Sequence, residues 1–233
     1  MSEWGTYHLS DFLLFSARTW DRLFERYNRD VWPLQLVALV AGAFILILAL
    51  RRGLAWRGRA IAVILAAVWV WVAWAFQLKR YATINWAAKW FAAAFVIEAM
   101  LLIWFGVIRD RFRAIPNRRF TRWSGIALFA FALFIEPLIG FLLRGSWTTV
   151  QTFGITPDPT VVATIGVILF AGERRAISLI VVPLLWCAIS GATWWTLHAS
   201  AAFVLLGFIL PARWRISKSR SIFRTPEESR TVS

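Results

Sequence analysis

Two carboxylates, one ammonium and one amide stand where only apolar side chains are expected. Glu98 falls near the middle of an apolar stretch at residues 86–108, and Glu136 in the second half of another at 123–143. Lys89 lies about one turn inside the first of these stretches, and Asn85 just before it. An ionised carboxylate in hydrocarbon costs ~2.5–3.5 kcal/mol on insertion scales. Each acid should therefore face a protein interior, be protonated, or be paired. Lys89 either snorkels outward or reaches Glu136, which is expected at a similar depth. Glu98 and Lys89 are separated by roughly 180° around a helix at about 100° per residue, so they do not share a face. The set supports a proton or cation relay, or a structural polar contact between helices.

A second constellation is TTVQTFGITPDPT at 148–160. The apolar stretch after it, 160–171, has about 12 residues and covers only ~18 Å of a ~30 Å hydrocarbon core. The deficit closes if the preceding loop dips inward. Non-helical backbone at that depth is tolerated only where protein or water surrounds it. Thr152, Gly154, Pro157, Asp158 and Pro159 are the candidate residues of such a re-entrant loop. Gly154 permits a tight turn, the prolines fix an extended approach and start the helix, and Asp158 can cap it. The alternatives are a re-entrant lining of an outward-facing cavity and a well-structured external loop.

Other chemistry lacks its residues. There is no phosphate-cradling glycine loop, zinc signature or nucleophile elbow. His8 and His198 are isolated, Cys187 is the one cysteine, and the last apolar stretch has no lysine for a Schiff base. No metal and no cofactor is expected.

The elements that must position these groups follow from composition. Of 233 residues, 60% are apolar and 16% charged, with a mean hydropathy of +0.64. Lipid accepts that much apolar surface, whereas a soluble domain of this length has nowhere to bury it. The expected fold is all-α, a polytopic transmembrane helical bundle of about seven spans. They fall at 31–50, 60–77, 86–108, 123–143, 160–171, 177–197 and 200–210. Residues 31–212 form the transmembrane domain, preceded by a periplasmic amphipathic segment at 1–30 and followed by a basic cytoplasmic tail at 213–233.

The formal charge of +14 suggests nucleic acid until the charges are placed. With seven spans, alternate loops divide the 26 basic residues into 18 on one side and 8 on the other. That is the positive-inside asymmetry, so the C-terminus is expected in the cytoplasm and the N-terminus outside. No nucleic-acid partner is expected. The bilayer is, with anionic lipid at the basic cytoplasmic face, where Trp214, Ile222 and Phe223 lie among the tail arginines. A membrane-protein partner or a second copy is a further partner class.

Residues 11–30 form an amphipathic helix with Ser10 as N-cap. Leu13, Trp20, Leu23, Phe24 and Tyr27 share one face, and Arg18, Arg22 and Arg26 another. This helix lies in a membrane interface or packs on the bundle. Trp32, Trp56, Trp86, Trp123, Trp147 and Trp214 fall near span ends, as interfacial rings do. Trp69, Trp71 and Trp74 lie deeper, as packing or lipid-facing bulk.

Several segments carry a family resemblance: YNRDVWPLQ at 27–35, INWAA at 84–88, EPLIG at 136–140, TFGITPDPT at 152–160 and VVPLLWCAISGA at 181–192. From about residue 10 to 210 the chain resembles the uncharacterised bacterial multi-pass membrane proteins of domain-of-unknown-function family 6064. The resemblance implies a bacterial inner membrane and no particular reaction. Family members often carry a cysteine between the two prolines, where this chain has Asp158, so no thiol or metal role is carried onto that position.

Three functions compete. A small proton-coupled permease or carrier rests on Glu98, Glu136, Lys89 and the dipping loop. A non-catalytic accessory or scaffold subunit of a larger membrane complex rests on small size, tryptophan-rich spans and the N-terminal helix. A membrane enzyme is least favoured, since no histidine or metal set stands beside the carboxylates. A cavity joining Glu98, Glu136 and the 152–160 loop would favour the first or third, and a tightly packed interior the second.

Overall fold

The computed structural model describes residues 16–51, 54–113, 119–171 and 178–196. Residues 14–191 form one compact unit. The described residues are helical throughout their long elements, and no strand occurs among them. Seven helices follow in order: α1 (Ala17–Asp30), α2 (Leu34–Leu50), α3 (Arg57–Thr83), α4 (Ala88–Ile108), α5 (Arg119–Leu143), α6 (Pro157–Ala171) and α7 (Ser178–Thr196). This is a helical bundle. Helices α3, α4, α5 and α7 are each long and apolar enough to cross a membrane, and α1 and α2 form a pair bent by 86°. The expected seventh stretch at 200–210, the tail, Ser10, Leu13, His8 and His198 lie outside the described residues.

Helix α1 begins later than the expected cap at Ser10 implies. Ser16 holds an extended backbone, and its Oγ accepts from the Thr19 amide at 3.3 Å, which satisfies one of the helix's orphan N–H groups. Trp20, Leu23, Phe24 and Tyr27 are buried, as their spacing predicts. That face packs on the bundle. Trp20 meets Tyr81 edge-on at 5.3 Å, and Phe24 and Tyr27 meet Phe76 at 5.3 and 5.4 Å. The expected first span at 31–50 is shortened to Leu34–Leu50, because residues 31–33 turn the chain ahead of α2.

Close approaches between helices occur at small residues, as in membrane bundles. A methyl on Gly166 of α6 would stand 2.7 Å from the Gly125 carbonyl oxygen of α5, so the two backbones touch. Helix α5 also contains Pro137, which lacks an N–H and would crowd the carbonyl four residues earlier. A wide π-helical turn at Phe131–Ile135 lies immediately upstream and takes up that conflict.

Two arginines tie off one end of the bundle. Arg122 is buried and donates to the carbonyls of Ala49 and Leu50 at 3.1 and 3.4 Å. Arg57, also buried, donates to the Arg51 carbonyl at 3.0 Å. They satisfy the last carbonyls of α2 and place positive charge at its negative pole. At the same end Arg59 pairs with Asp110 at 3.5 Å. Asp30 pairs with Arg80 at the other.

Candidate functional site

The 152–156 segment is a deeply buried non-helical stretch, whereas Pro157, Asp158, Pro159 and Thr160, expected in the loop or at its end, form the first turn of α6. Phe153 and Thr156 are fully buried, and Ile155 nearly so. Gly154, at φ 74°, sits so close to Val68 of α3 and Ala38 of α2 that an added methyl would meet them at 3.0 and 3.1 Å. Val68 lies near the midpoint of α3, so the loop enters the bundle deeply.

Buried backbone needs partners, and a column of threonines supplies them. Thr156 Oγ1 accepts from the Thr152 amide at 2.9 Å and donates to the Thr152 carbonyl at 3.1 Å. Thr160 Oγ1 accepts from the Gly154 amide at 2.8 Å and donates to the Thr156 carbonyl at 2.7 Å. Thr164 Oγ1 donates to the Thr160 carbonyl and accepts from Trp69 Nε1, both at 2.8 Å. Helix α1 adds a clasp: Tyr27 donates to the Ile155 carbonyl, and Asn28 Nδ2 to those of Thr148 and Val150. Pro157 and Pro159 remove two of the four N–H groups that the start of α6 would otherwise leave unpaired. These bonds hold the loop as a wedge enclosed by protein.

The wedge delivers Asp158 to the middle of α7, where its Oδ1 accepts from Trp186 Nε1 at 2.8 Å. Trp186 is itself braced edge-on by Phe91 and Phe95 of α4, at 5.5 and 5.2 Å. The Asp158 charge acts on Glu136 of α5, and both acids act on Cys187. Glu136 is half-buried and its Oε2 has no hydrogen-bond partner. Two carboxyls from different helices therefore lie within electrostatic range of one another, and no basic side chain forms an ion pair with either among the described residues.

The remaining predicted residues separate from this site. Glu98 is fully buried in α4, and both its carboxylate oxygens lack partners. Lys89 is exposed on the first turn of α4 and forms no ion pair with Glu136 or Glu98. Of the two courses expected for it, snorkelling outward or reaching Glu136, its exposure fits the first. Asn85 belongs to the α3–α4 turn: its Nδ2 donates to the Tyr81 hydroxyl at 2.8 Å and its Oδ1 accepts from the Ala87 amide at 2.9 Å. Sequence reasoning missed Trp186, the threonine column and Gln77, which is fully buried with both amide atoms unpartnered. The four-residue spacing of Thr152, Thr156, Thr160 and Thr164 was the available signal for the column. No three His, Cys, Asp or Glu side chains form a metal-binding group among the described residues.

A helical bundle with several membrane-length apolar helices and an acid pair at an inserted loop is compatible with a membrane protein. The profile of the family of unknown function DUF6064 matches residues 17–225, and the chain belongs to that family. No curated protein and no solved structure matches the chain.

Proposed function

We propose that the chain is an integral protein of a bacterial inner membrane, with its N-terminus outside and its basic tail against anionic lipid in the cytoplasm. We further propose a small permease or carrier that exchanges a proton or cation at Glu136 and Asp158. The supporting observation is that these two acids, from separate helices and without an ion-pair partner among the described residues, lie within electrostatic range of one another beside a loop that reaches into the bundle. An acid pair of this kind can bind and release one positive charge without a standing salt bridge to break. Proteoliposomes on a supported membrane provide the test. A pH step should drive a transient current that falls at least about tenfold in Glu136→Gln while the melting temperature is unchanged. Equal currents from both proteins would contradict the proposal.

A second reading, a non-catalytic subunit of a larger membrane complex, draws support from the threonine-locked loop. Cavities among the described residues are lined by α3 with α4, by α1 with the end of α3, and by α1, α2 and the loop around Thr148–Thr152. Purification from native membranes distinguishes the two. A subunit copurifies with stoichiometric partners and stays silent alone, whereas a carrier runs by itself and gives the current.

A further inference from the structure

Half of the basic residues assigned by sequence to the N-terminal end meet in one cleft. Arg22 and Arg26 of α1 converge there with Lys79 and Arg80 from the end of α3. Thr19 and Thr83 add hydroxyls, Leu23 and Ile84 complete the lining, and the cleft encloses about 380 Å³. The helical spacing of Thr19, Arg22, Leu23 and Arg26 puts all four on one face of α1. The docking of α1 on Phe76 and Tyr81 then sets that face beside α3.

Four cations on one concave surface repel one another unless an anion joins them. Arg80 is the partly neutralised member, through Asp30. Lys79 lies over the Trp74 ring at 5.8 Å. No carboxylate forms an ion pair with Arg22, Arg26 or Lys79 among the described residues. The nearby acid Glu25 is engaged with Arg29 at 2.6 Å, away from the cleft. Directly along α3 from Lys79, Leu78 and Trp74 are exposed apolar side chains. The cleft thus sits where apolar surface gives way to charge.

We propose that this cleft binds a phosphate-bearing anion, with Arg22, Arg26, Lys79 and Arg80 as its ligands and the two threonine hydroxyls as additional donors. Guanidinium forks match phosphate oxygens in pairs, and the cleft volume admits a glycerophosphate-sized group. The group is a phospholipid headgroup or a soluble phosphate ester, which present the same chemistry. The proposal is independent of the acid-pair function.

The test uses the full-length protein in neutral detergent. Native mass spectrometry with phosphatidylglycerol against phosphatidylcholine reads the lipid arm, and thermal shift with inorganic phosphate or glycerol phosphate reads the soluble arm. Arg22 and Arg26 are exposed, so Arg22→Gln/Arg26→Gln should fold. A basic residue at an anionic lipid surface contributes about fivefold, so the double variant should bind phosphatidylglycerol about 25-fold more weakly. Lys79→Gln should lose about fivefold, and Arg51→Gln, at the opposite end, should lose nothing. Selective phosphatidylglycerol binding without a response to soluble phosphate assigns the site to lipid. A response to soluble phosphate alone assigns it to a free ester. Equal binding of the two lipids with no phosphate response would overturn the proposal, as would binding unchanged in both variants.

Discussion

Thr160→Val removes one hydroxyl from the centre of the threonine column and changes almost nothing else. Valine keeps the volume and the branching at Cβ. The lost oxygen accepts from the Gly154 amide at 2.8 Å and donates to the Thr156 carbonyl at 2.7 Å, in a fully buried setting. An unpaired buried N–H costs about 1–3 kcal/mol, and the weakened carbonyl adds ~0.5–1 kcal/mol. The expected loss is therefore about 1.5–4 kcal/mol. Thr160→Ser keeps the hydroxyl and forfeits a methyl group, a loss of about 1 kcal/mol. Reversible unfolding in mixed micelles, driven by a denaturing detergent, gives both values. Hydrogen exchange at Gly154 should accelerate in the valine variant and stay slow in the serine variant. A valine variant as stable as the serine one would refute the claim that hydrogen bonding, rather than packing alone, holds the loop inside the bundle.

Gly166→Ala sets a methyl 2.7 Å from the Gly125 carbonyl oxygen and 2.8 Å from the Phe129 nitrogen, so unfolding should show a loss of about 1–3 kcal/mol. Gly140→Ala, whose nearest neighbour would be 4.0 Å away, should cost nothing in the same assay. Arg122→Ala strips the donors from the Ala49 and Leu50 carbonyls and should lower stability by about 1–3 kcal/mol, with Arg122→Lys recovering part of it. For orientation, a reporter active only in the periplasm should be silent when fused after Ser233 and strong after Leu197. The reverse pattern would invert the proposed topology.

The helices were legible because apolar stretches of membrane length are long, continuous signals. The buried face of α1 was legible too, since Trp20, Leu23, Phe24 and Tyr27 recur at helical spacing. Boundaries were less so: within the expected 11–30 helix, Ser16 holds an extended backbone and caps a helix that starts at Ala17. Arg57 and Arg122 read as loop charges that set topology. Their second role, closing the end of α2, depends on which helix ends meet. The short stretch after the inserted loop drew attention to it, although the helix begins at Pro157 and not at residue 160. What the loop delivers was not legible. Asp158 stands in the first turn of α6, as expected, and also engages Trp186, 28 residues onward.

An infrared pH titration of the protein in lipid tests the central claim, that Glu136 and Asp158 form one proton- or cation-exchanging site. The account predicts a carboxylic-acid C=O band that changes with pH, vanishes in Glu136→Gln and moves in Asp158→Asn, while Lys89→Met leaves it in place. Titrations identical in the wild type and both acid variants would contradict it.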